Sequence, residues 1–335
     1  MARKPFAPDP GQKKVEGHPA AGQQYRIVKF VSILLAVSTL IPLGAPGADP
    51  AEEASLPLVS GASATEPYST TGIAEARLLT PARAIRPASR FTVGLLLRPE
   101  PGFHTYWRGP GIVGVATKLD WTFPEGFEAG DILWPPPEKT DMAGVTANGY
   151  RSEVILLTDI EAPEEIGSDT VTIDLSAAWM ACSTSCHPSI AKFSLTLPVA
   201  RGEADPPKDV DLAARFSDVR NSIPGPHPED WTFSITAPAE DRLVLEGSVP
   251  GLEEASAREL VFFGDDMQVD SDEPRRIEWV GDDSGTFRMH FVRPDFAPAN
   301  PERFSGLLRL PPFGDSSSPR FVEISLPWKP GTEHE

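Results

Sequence analysis

The stretch TVTIDLSAAWMACSTSCHPSIAKFSLTLP, residues 170–198, predicts a β-hairpin. Apolar and polar residues alternate on both sides of the segment Ser183–Ser185. When Cys182 is set opposite Cys186, apolar residues oppose apolar ones and polar residues oppose polar ones along both strands. A shift of one residue would destroy this match, and three residues are a common length for a hairpin loop. The pattern therefore predicts two paired strands that present one apolar face to a core.

The predicted turn is flanked by Cys182 and Cys186, the two cysteines of the sequence. Opposed residues of an antiparallel pair have Cα atoms about 4.5–5.5 Å apart, which lies within the range of about 4.4–6.8 Å that a disulfide spans. The apolar positions of the hairpin are odd-numbered, whereas both cysteines are even-numbered. We therefore expect a disulfide whose two sulfurs lie on the polar face of the sheet, within reach of solvent.

Three interpretations of the pair stay open on chemical grounds: a reversible redox pair, an inert bridge and part of a metal site. A disulfide that closes a loop of about five residues contributes roughly 2 kcal/mol on the chain-entropy model, which is little for a domain of this size. If His187 beside Cys186 is protonated, it lowers the pKa of the thiol and favours the reactive thiolate. Cys182, Cys186 and His187 also suit Cu(I) or zinc, but a closed zinc site usually has four ligands.

Residues 1–48 are predicted to be a signal peptide. Arg26 and Lys29 precede the apolar run FVSILLAVSTLIPLG, which is followed by the small-residue stretch GAPGAD. This order of charged flank, apolar region and small residues is that of a secretory signal, and an N-terminal membrane anchor is the alternative. We therefore expect an exported chain that is soluble after cleavage, with residues 49–65 as a flexible leader.

The charge of the chain excludes one class of partner. The net charge is −18, and without residues 1–48 the chain holds 24 basic and 46 acidic residues. Such a chain repels nucleic acid and anionic lipid, so no nucleic-acid partner is predicted. Hydrophobic residues make up 40% of the sequence, enough for a sizeable core and more natural for two domains than for one.

Short alternating runs separated by turn residues predict an all-β fold. Their spacing favours two antiparallel β-sandwich domains, residues 66–205 and residues 226–330. Residues 206–225 break the pattern, because apolar residues recur there at helical spacing after a start rich in aspartate and before Pro224. We interpret this segment as a short helix that links the two domains.

Two other motifs carry no predicted site. The segment GPGIVG, residues 109–114, has the spelling of a dinucleotide-binding loop, but Pro110 and the lack of a following helical pattern argue against that function. We interpret its glycines as turn residues. The acidic stretch GDDMQVDSDE, residues 264–273, lacks the ligand spacing of a calcium loop and is interpreted as a solvated turn. No cofactor and no metal is predicted.

Three separated segments carry a family resemblance: YWRGPG at 106–111, LWPPPEKTDMAGVTANGYRSEVIL at 133–156 and CSTSCHPSIAKFSLTLPV at 182–199. Together they resemble the periplasmic N-terminal domain of the DsbD protein-disulfide reductase family, especially its branch typified by the suppressor of copper sensitivity protein ScsB. The resemblance extends over about residues 70–205. It implies an immunoglobulin-like sandwich whose cysteine pair accepts reducing equivalents from a membrane-embedded domain and passes them to periplasmic thioredoxin-fold proteins.

The resemblance assigns roles to a few residues of this sequence. Cys182 and Cys186 correspond to the catalytic redox pair. On the chemical grounds given above, His187 is a candidate modulator of the thiol pKa. Further motif positions match without an assigned role: Tyr106, Trp107, Trp134, Gly149 and Tyr150. The resemblance thus predicts a periplasmic thiol:disulfide interchange protein, and whether it counts as an enzyme is left open.

The expected partners follow from the same resemblance. Full family members also carry a membrane domain and a thioredoxin-like domain, for which this sequence has no matching segment, so we expect a separate membrane-embedded electron donor of the DsbD/ScsB type. Periplasmic thioredoxin-fold proteins are the expected acceptors. The alternative is a non-enzymatic copper-binding or structural module of the cell envelope, with Cys182, Cys186 and His187 as copper ligands.

Overall fold

The computed structural model of the chain describes residues 64–202, 205–280, 285–314 and 318–328. The predicted signal peptide and nearly all of the predicted leader, residues 1–63, lie outside the described residues. Within the described ranges, no helix is long and apolar enough to cross a membrane.

The part of the described chain before residue 200 is built from strands. In chain order they are β1 Tyr68–Thr70, β2 Ile73–Leu79, β3 Arg90–Pro99, β4 Thr105–Gly111, β5 Lys118–Thr122, β6 Glu128–Leu133, β7 Glu138–Met142, β8 Val145–Tyr150, β9 Val154–Glu161, β10 Thr170–Cys182 and β11 Cys186–Pro198. One sheet has the order β1-β2-β3-β9-β6 and a second has the order β11-β10-β5. These two sheets enclose a hydrophobic core, and we refer to them as the first sandwich.

The predicted hairpin is confirmed residue by residue. Leu175 lies opposite Phe193, Ile173 opposite Leu195, and Cys182 opposite Cys186. The odd-numbered apolar residues of both strands are buried in the core of the first sandwich, because successive side chains of a strand point to opposite faces. The hairpin register was therefore correctly read from the alternation of apolar residues.

A helix, α1 Val210–Ser222, follows the first sandwich. Its N-terminus is capped by Asp209, whose carboxylate accepts a hydrogen bond from the amide of Leu212 at 3.1 Å. The helix does more than link two segments, since Phe216 packs with Leu96 and Ile155 on the outer face of β3 and β9. The strand β3 is consequently buried on both of its faces.

Three strands that the sequence did not predict form a small sheet of their own, with the order β4-β8-β7. We call it the cap sheet, because it lies over the end of the β10–β11 hairpin, as described below. Its strands contain Pro110, three glycines and many polar residues, so the alternation that identifies a strand is weak in them.

The part of the chain after α1 consists mainly of strands in two further sheets. The elements are β12 Gly225–Pro226, β13 Thr232–Ala239, β14 Arg242–Ser248, α2 Glu254–Ala257, β15 Val261–Gly264, β16 Arg276–Trp279, β17 Thr286–Val292, β18 Arg303–Arg309 and β19 Phe321–Pro327. The sheets have the orders β12-β19-β18-β15 and β13-β14-β17-β16. They enclose a core of their own and form the second sandwich. The predicted all-β sandwich fold is thereby confirmed.

The two sandwiches share buried apolar surface. Phe263 of β15 and Leu307 of β18 belong to the core of the first sandwich, whereas their neighbours Phe262 and Leu308 belong to the core of the second. These two strands are therefore covered on both faces, which explains why their apolar residues do not alternate with polar ones. The domain limits 66–205 and 226–330 stay a prediction, and α1 lies within the predicted linker 206–225.

Substitutions on adjacent positions of β11 test the hairpin faces. Leu195→Ala removes a side chain that is 2% exposed, and we expect a loss of about 2–5 kcal/mol in the free energy of unfolding. Ser194→Ala, on the exposed face of the same strand, should change it by no more than about 0.5 kcal/mol. Urea unfolding of both variants measures the difference, and equal effects would contradict the assignment of the faces.

Candidate functional site

The candidate site is the tip of the β10–β11 hairpin. Cys182 and Cys186 form a disulfide with an S–S distance of 2.02 Å and a Cα–Cα distance of 4.2 Å. The turn between them is closed by a hydrogen bond from the amide of Ser183 to the carbonyl oxygen of Ser185, at 3.0 Å. The strand register brings the two sulfurs together, and the short turn holds them there.

The two cysteines differ sharply in exposure. Cys182 has no exposed surface, whereas Cys186 is partly exposed. Both lie outside the core of the first sandwich, as their even positions predicted, but the expectation that both sulfurs are reachable is wrong for Cys182. The cap sheet covers that face, and Cys182 packs there in a separate buried cluster with Tyr106 and Ala147.

His104 fixes the backbone of Cys182. The amide of His104 donates to the carbonyl oxygen of Cys182 at 2.9 Å, and the amide of Cys182 donates to the carbonyl oxygen of His104 at 3.0 Å. The neighbouring strand β5 pairs with β10 only as far as Ala178. Beyond that point, His104 pairs with the same edge of β10 at Cys182. Cys182 is thus held between Cys186 on one side and His104 on the other.

The imidazole of His104 is itself buried, with only 2% of the residue exposed, and its Nε2 atom has no hydrogen-bond partner. Burial lowers the pKa of His104, and the Arg151 guanidinium lowers it further. The ring is therefore predominantly neutral at pH 7. The sequence pattern gives His104 no role, and its one distinguishing feature is a position two residues before the family-like segment 106–111.

Tyr106 is the side chain that reaches the accessible sulfur. Its hydroxyl oxygen lies 3.9 Å from the Sγ of Cys186, and its ring packs edge-on against His104 with the centroids 5.0 Å apart. Burial raises the pKa of Tyr106 to about 12, so the hydroxyl keeps its proton across the physiological pH range. A neutral hydroxyl at this position can donate a hydrogen bond to sulfur.

His187 lies on a different face of the hairpin from the sulfurs, since adjacent residues of a strand point to opposite sides. Its Nε2 is 3.0 Å from the hydroxyl of Ser185, and its ring centroid is 5.8 Å from that of Phe103. Tyr106 and His104 are thus the rings that pack on the side of the disulfide, and His187 stays a candidate modulator without a described contact to either sulfur.

The remaining motif positions support the fold around the site. Trp107 and Tyr150 are buried in the core of the first sandwich, and Trp134 packs against it. The hydroxyl of Tyr150 donates to the carbonyl oxygen of Pro135 at 2.7 Å. At Gly149 a Cβ atom would lie 2.0 Å from the carbonyl oxygen of Thr105, so only glycine permits this pairing of β8 with β4.

The alternative copper ligands do not form a metal site among the described residues. That part of the chain contains no group of three or more histidine, cysteine, aspartate or glutamate side chains that could hold a metal ion. In the disulfide form Cys182 and Cys186 are bonded to each other, and the side chain of the adjacent His187 lies on the opposite face of the strand. Copper ligation by these three residues stays a prediction.

A cavity of about 320 Å³ lies beside the disulfide turn. Ser183 and Thr184 of the turn line it together with His104, with Asp141 of β7, and with Arg151, which directly follows β8. The lining combines hydroxyl groups, a carboxylate and a guanidinium. It therefore offers both hydrogen-bond donors and acceptors next to the turn that carries the sulfurs.

The cap sheet contains a half-buried lysine, Lys139. The Nζ of Lys139 donates to the side-chain oxygen of Asn148 at 2.9 Å, and Asn148 donates to the carbonyl oxygen of Gly109 at 2.8 Å. Lys139 also lies over the ring of Phe263 in the second sandwich, 5.1 Å from its centroid. Burial, followed by the charges of Arg275 and Arg309, lowers the pKa of Lys139 to about 8.

Comparisons with known proteins place the disulfide within a matched segment. Residues 75–198 match the family model described as thiol:disulfide interchange protein DsbD, N-terminal. Among solved structures, the chain is similar to the N-terminal periplasmic domain of ScsB from Proteus mirabilis, with a TM-score of 0.54 and 18% identity over 80% of this chain and 99% of that one. At this identity the likeness concerns the fold alone. No curated protein matches the sequence significantly.

The unequal burial of the sulfurs predicts unequal reactivity. After reduction, we expect Cys186 to be alkylated by iodoacetamide at least about tenfold faster than Cys182, because a buried thiol reacts only when the cap opens. A short pulse followed by peptide mass spectrometry measures the ratio. In denaturant the two rates should converge, and equal rates in the folded protein would contradict the described burial.

The lowered pKa of Lys139 predicts that the free energy of unfolding rises with pH. Its pKa falls from 10.5 to about 8 on folding, so between these values the unfolded chain binds more protons and the free energy of unfolding increases with pH. In Lys139→Met we expect this increase to be smaller, by about 2–3 kcal/mol across the interval. The exposed Lys118→Met is the control. If the free energy of unfolding depends on pH in the same way in the wild type and in Lys139→Met above pH 8, the lowered pKa of Lys139 is contradicted.

Proposed function

Since residues 75–198 form a domain of the DsbD N-terminal type, we propose that this protein is a periplasmic thiol:disulfide interchange protein. It carries reducing equivalents on Cys182 and Cys186. The observation that carries the proposal is the disulfide at the hairpin tip, with one sulfur partly exposed and the other buried under the cap sheet. A pair that exchanges electrons needs one sulfur that a partner can reach.

The difference in exposure suggests the order of events on reduction. A donor thiolate attacks the Sγ of Cys186, the bond to Cys182 breaks, and Cys182 leaves as a thiolate that takes up a proton. A second donor thiolate then attacks the donor sulfur of the mixed disulfide and releases Cys186. The donor dithiol becomes a disulfide, and two electrons and two protons have moved to this protein.

Delivery to the acceptor is the same chemistry in reverse. The Cys186 thiolate attacks the disulfide of an oxidised partner, and one partner cysteine leaves as a thiolate. Cys182 then loses its proton and attacks the Sγ of Cys186, which releases the reduced partner and restores the disulfide. Tyr106 supports the first step, because a hydrogen bond from its hydroxyl to the Cys186 thiolate lowers the thiol pKa.

The proposed partners are a membrane-embedded donor of the DsbD/ScsB type and periplasmic thioredoxin-fold acceptors. The support is the family match and the likeness to the periplasmic domain of ScsB. The cavity beside Ser183 and Thr184 leaves room next to the turn for a segment of a partner. Its donors and acceptors suit a polypeptide main chain, which presents both N–H and C=O groups.

The reduction potential of the Cys182–Cys186 pair tests whether the bridge is exchangeable. We expect a value above about −300 mV, because structural disulfides of exported proteins usually lie below this value. Equilibration in graded thiol buffers, followed by mass-spectrometric counting of free thiols, measures it. A lower value that resists glutathione would identify a structural bridge and refute the proposal.

Single cysteine variants test the order of attack. Cys182→Ser leaves the accessible Cys186 without its resolving partner, so we expect it to trap a mixed disulfide with an oxidised thioredoxin-fold protein. The matched variant Cys186→Ser leaves only the buried sulfur and should give at least about tenfold less adduct. Non-reducing electrophoresis and peptide mapping measure both adducts. More adduct with Cys186→Ser would reverse the assigned order.

A further inference from the structure

A loop of the second sandwich is hydrogen-bonded to the cap sheet. We call residues 265–272, between β15 and β16, the brace loop. The hydroxyl of Ser271 donates to the carbonyl oxygen of Thr146 at 2.7 Å and accepts from the amide of Ile112 at 3.1 Å. The carboxylate of Asp272 accepts from the amide of Thr146 at 2.8 Å. Two adjacent residues thus bind both β8 and the end of β4.

Two glycines of the cap sheet leave the space that the brace loop occupies. At Gly111, where φ is +95°, a Cβ atom would lie 2.2 Å from the hydroxyl oxygen of Ser271. At Gly109 it would lie 2.4 Å from the carbonyl oxygen of Gly264 and 2.5 Å from the Cα of Asp265. These glycines belong to strand β4, so their interpretation as turn residues is wrong, and close approach of the second sandwich explains them.

Arg108 adds a charged anchor at the same place. Its Nε donates to the carboxylate of Asp265 at 2.8 Å, and its terminal nitrogens lie 3.3 Å from the carboxylate of Glu323 in β19. The guanidinium also stacks over the ring of Trp107, 4.9 Å from the centroid. A bridge from one arginine to two carboxylates of the second sandwich holds β4 in register with the brace loop.

The braced strands carry the side chains that cover the disulfide. Thr146 is bound by the brace loop, and its neighbour Ala147 packs with Tyr106 against the buried Cys182. Adjacent residues of a strand point to opposite faces, so restraint of the backbone at Thr146 also restrains the side that faces the sulfurs. We propose that the brace loop holds the cap sheet over Cys182 and thereby limits chemical access to the Cys182 sulfur.

This inference assigns positioning residues to the second sandwich, namely Ser271 and Asp272. A reagent reaches the covered Cys182 sulfur in proportion to the population of the open state, and loss of restraining hydrogen bonds raises that population. The consequence for electron transfer rests on the proposed function, whereas the consequence for access does not. Alkylation of Cys182 in the reduced protein by a small reagent therefore tests the brace independently of any protein partner.

The experiment compares initial rates of Cys182 alkylation by iodoacetamide in the reduced wild type, Ser271→Ala, Asp272→Ala and the double variant. Alkylated Cys182 is counted by acid quench and peptide mass spectrometry, and Cys186 in the same samples is the internal reference. We expect Cys182 of the double variant to be alkylated about tenfold faster than that of the wild type, with the single variants between them. The control is Glu273→Ala, which removes the next exposed carboxylate of the same segment and should react at the wild-type rate.

Amide hydrogen exchange separates local opening from a general loss of stability. In the double variant we expect faster exchange in β7 and β8, with β14 in the core of the second sandwich unchanged. An unchanged rate of Cys182 alkylation, an equal acceleration in Glu273→Ala, or equally faster exchange in β14 would each overturn the proposal. If the reduction potential of the pair is low and Cys182 is alkylated faster in the double variant, the relay is refuted and the brace is supported.

Discussion

The antiparallel pairing of β10 with β11 is the constraint on which the rest of the structure depends. Because this pairing alternates its side chains, one face of the hairpin supplies core residues such as Ile173 and Leu195, and the other face carries the two sulfurs. The core and the site therefore depend on the same strand register. A shift that exposed the core residues would also move the cysteines to the wrong face, so stability of the first sandwich and placement of the disulfide cannot be separated.

The cap sheet converts this symmetric pair of cysteines into an asymmetric one. His104 holds the backbone of Cys182, whereas the hydroxyl of Tyr106 lies beside the Sγ of Cys186. One sulfur is thus covered and the other can be approached. The cap strands in turn contact the second sandwich through Lys139, Arg108 and the brace loop, so a surface distant from the hairpin in sequence contributes to the surroundings of the disulfide.

A substantial part of this arrangement could be predicted from the sequence. The hairpin, its register and the disulfide followed from alternation alone, and the helix α1 lies within the segment that has helical spacing. The cap sheet could not be predicted, because its strands are short, contain proline and glycine, and pair with partners that local patterns do not identify. The same limitation hid the role of Gly111, whose neighbour Ser271 belongs to the other sandwich.

By itself, the sequence determined the strand pattern of the hairpin, the opposition of Cys182 and Cys186, and the face on which they lie. These properties depend on residues a few positions apart, and the two-residue period of a strand records them directly. Only the tertiary structure decided that Cys182 is buried, that Tyr106 lies beside Cys186, and that the second sandwich contacts the cap sheet. Burial is a property of everything that packs on a residue, and the groups that cover this disulfide come from segments that fold over it from elsewhere in the chain.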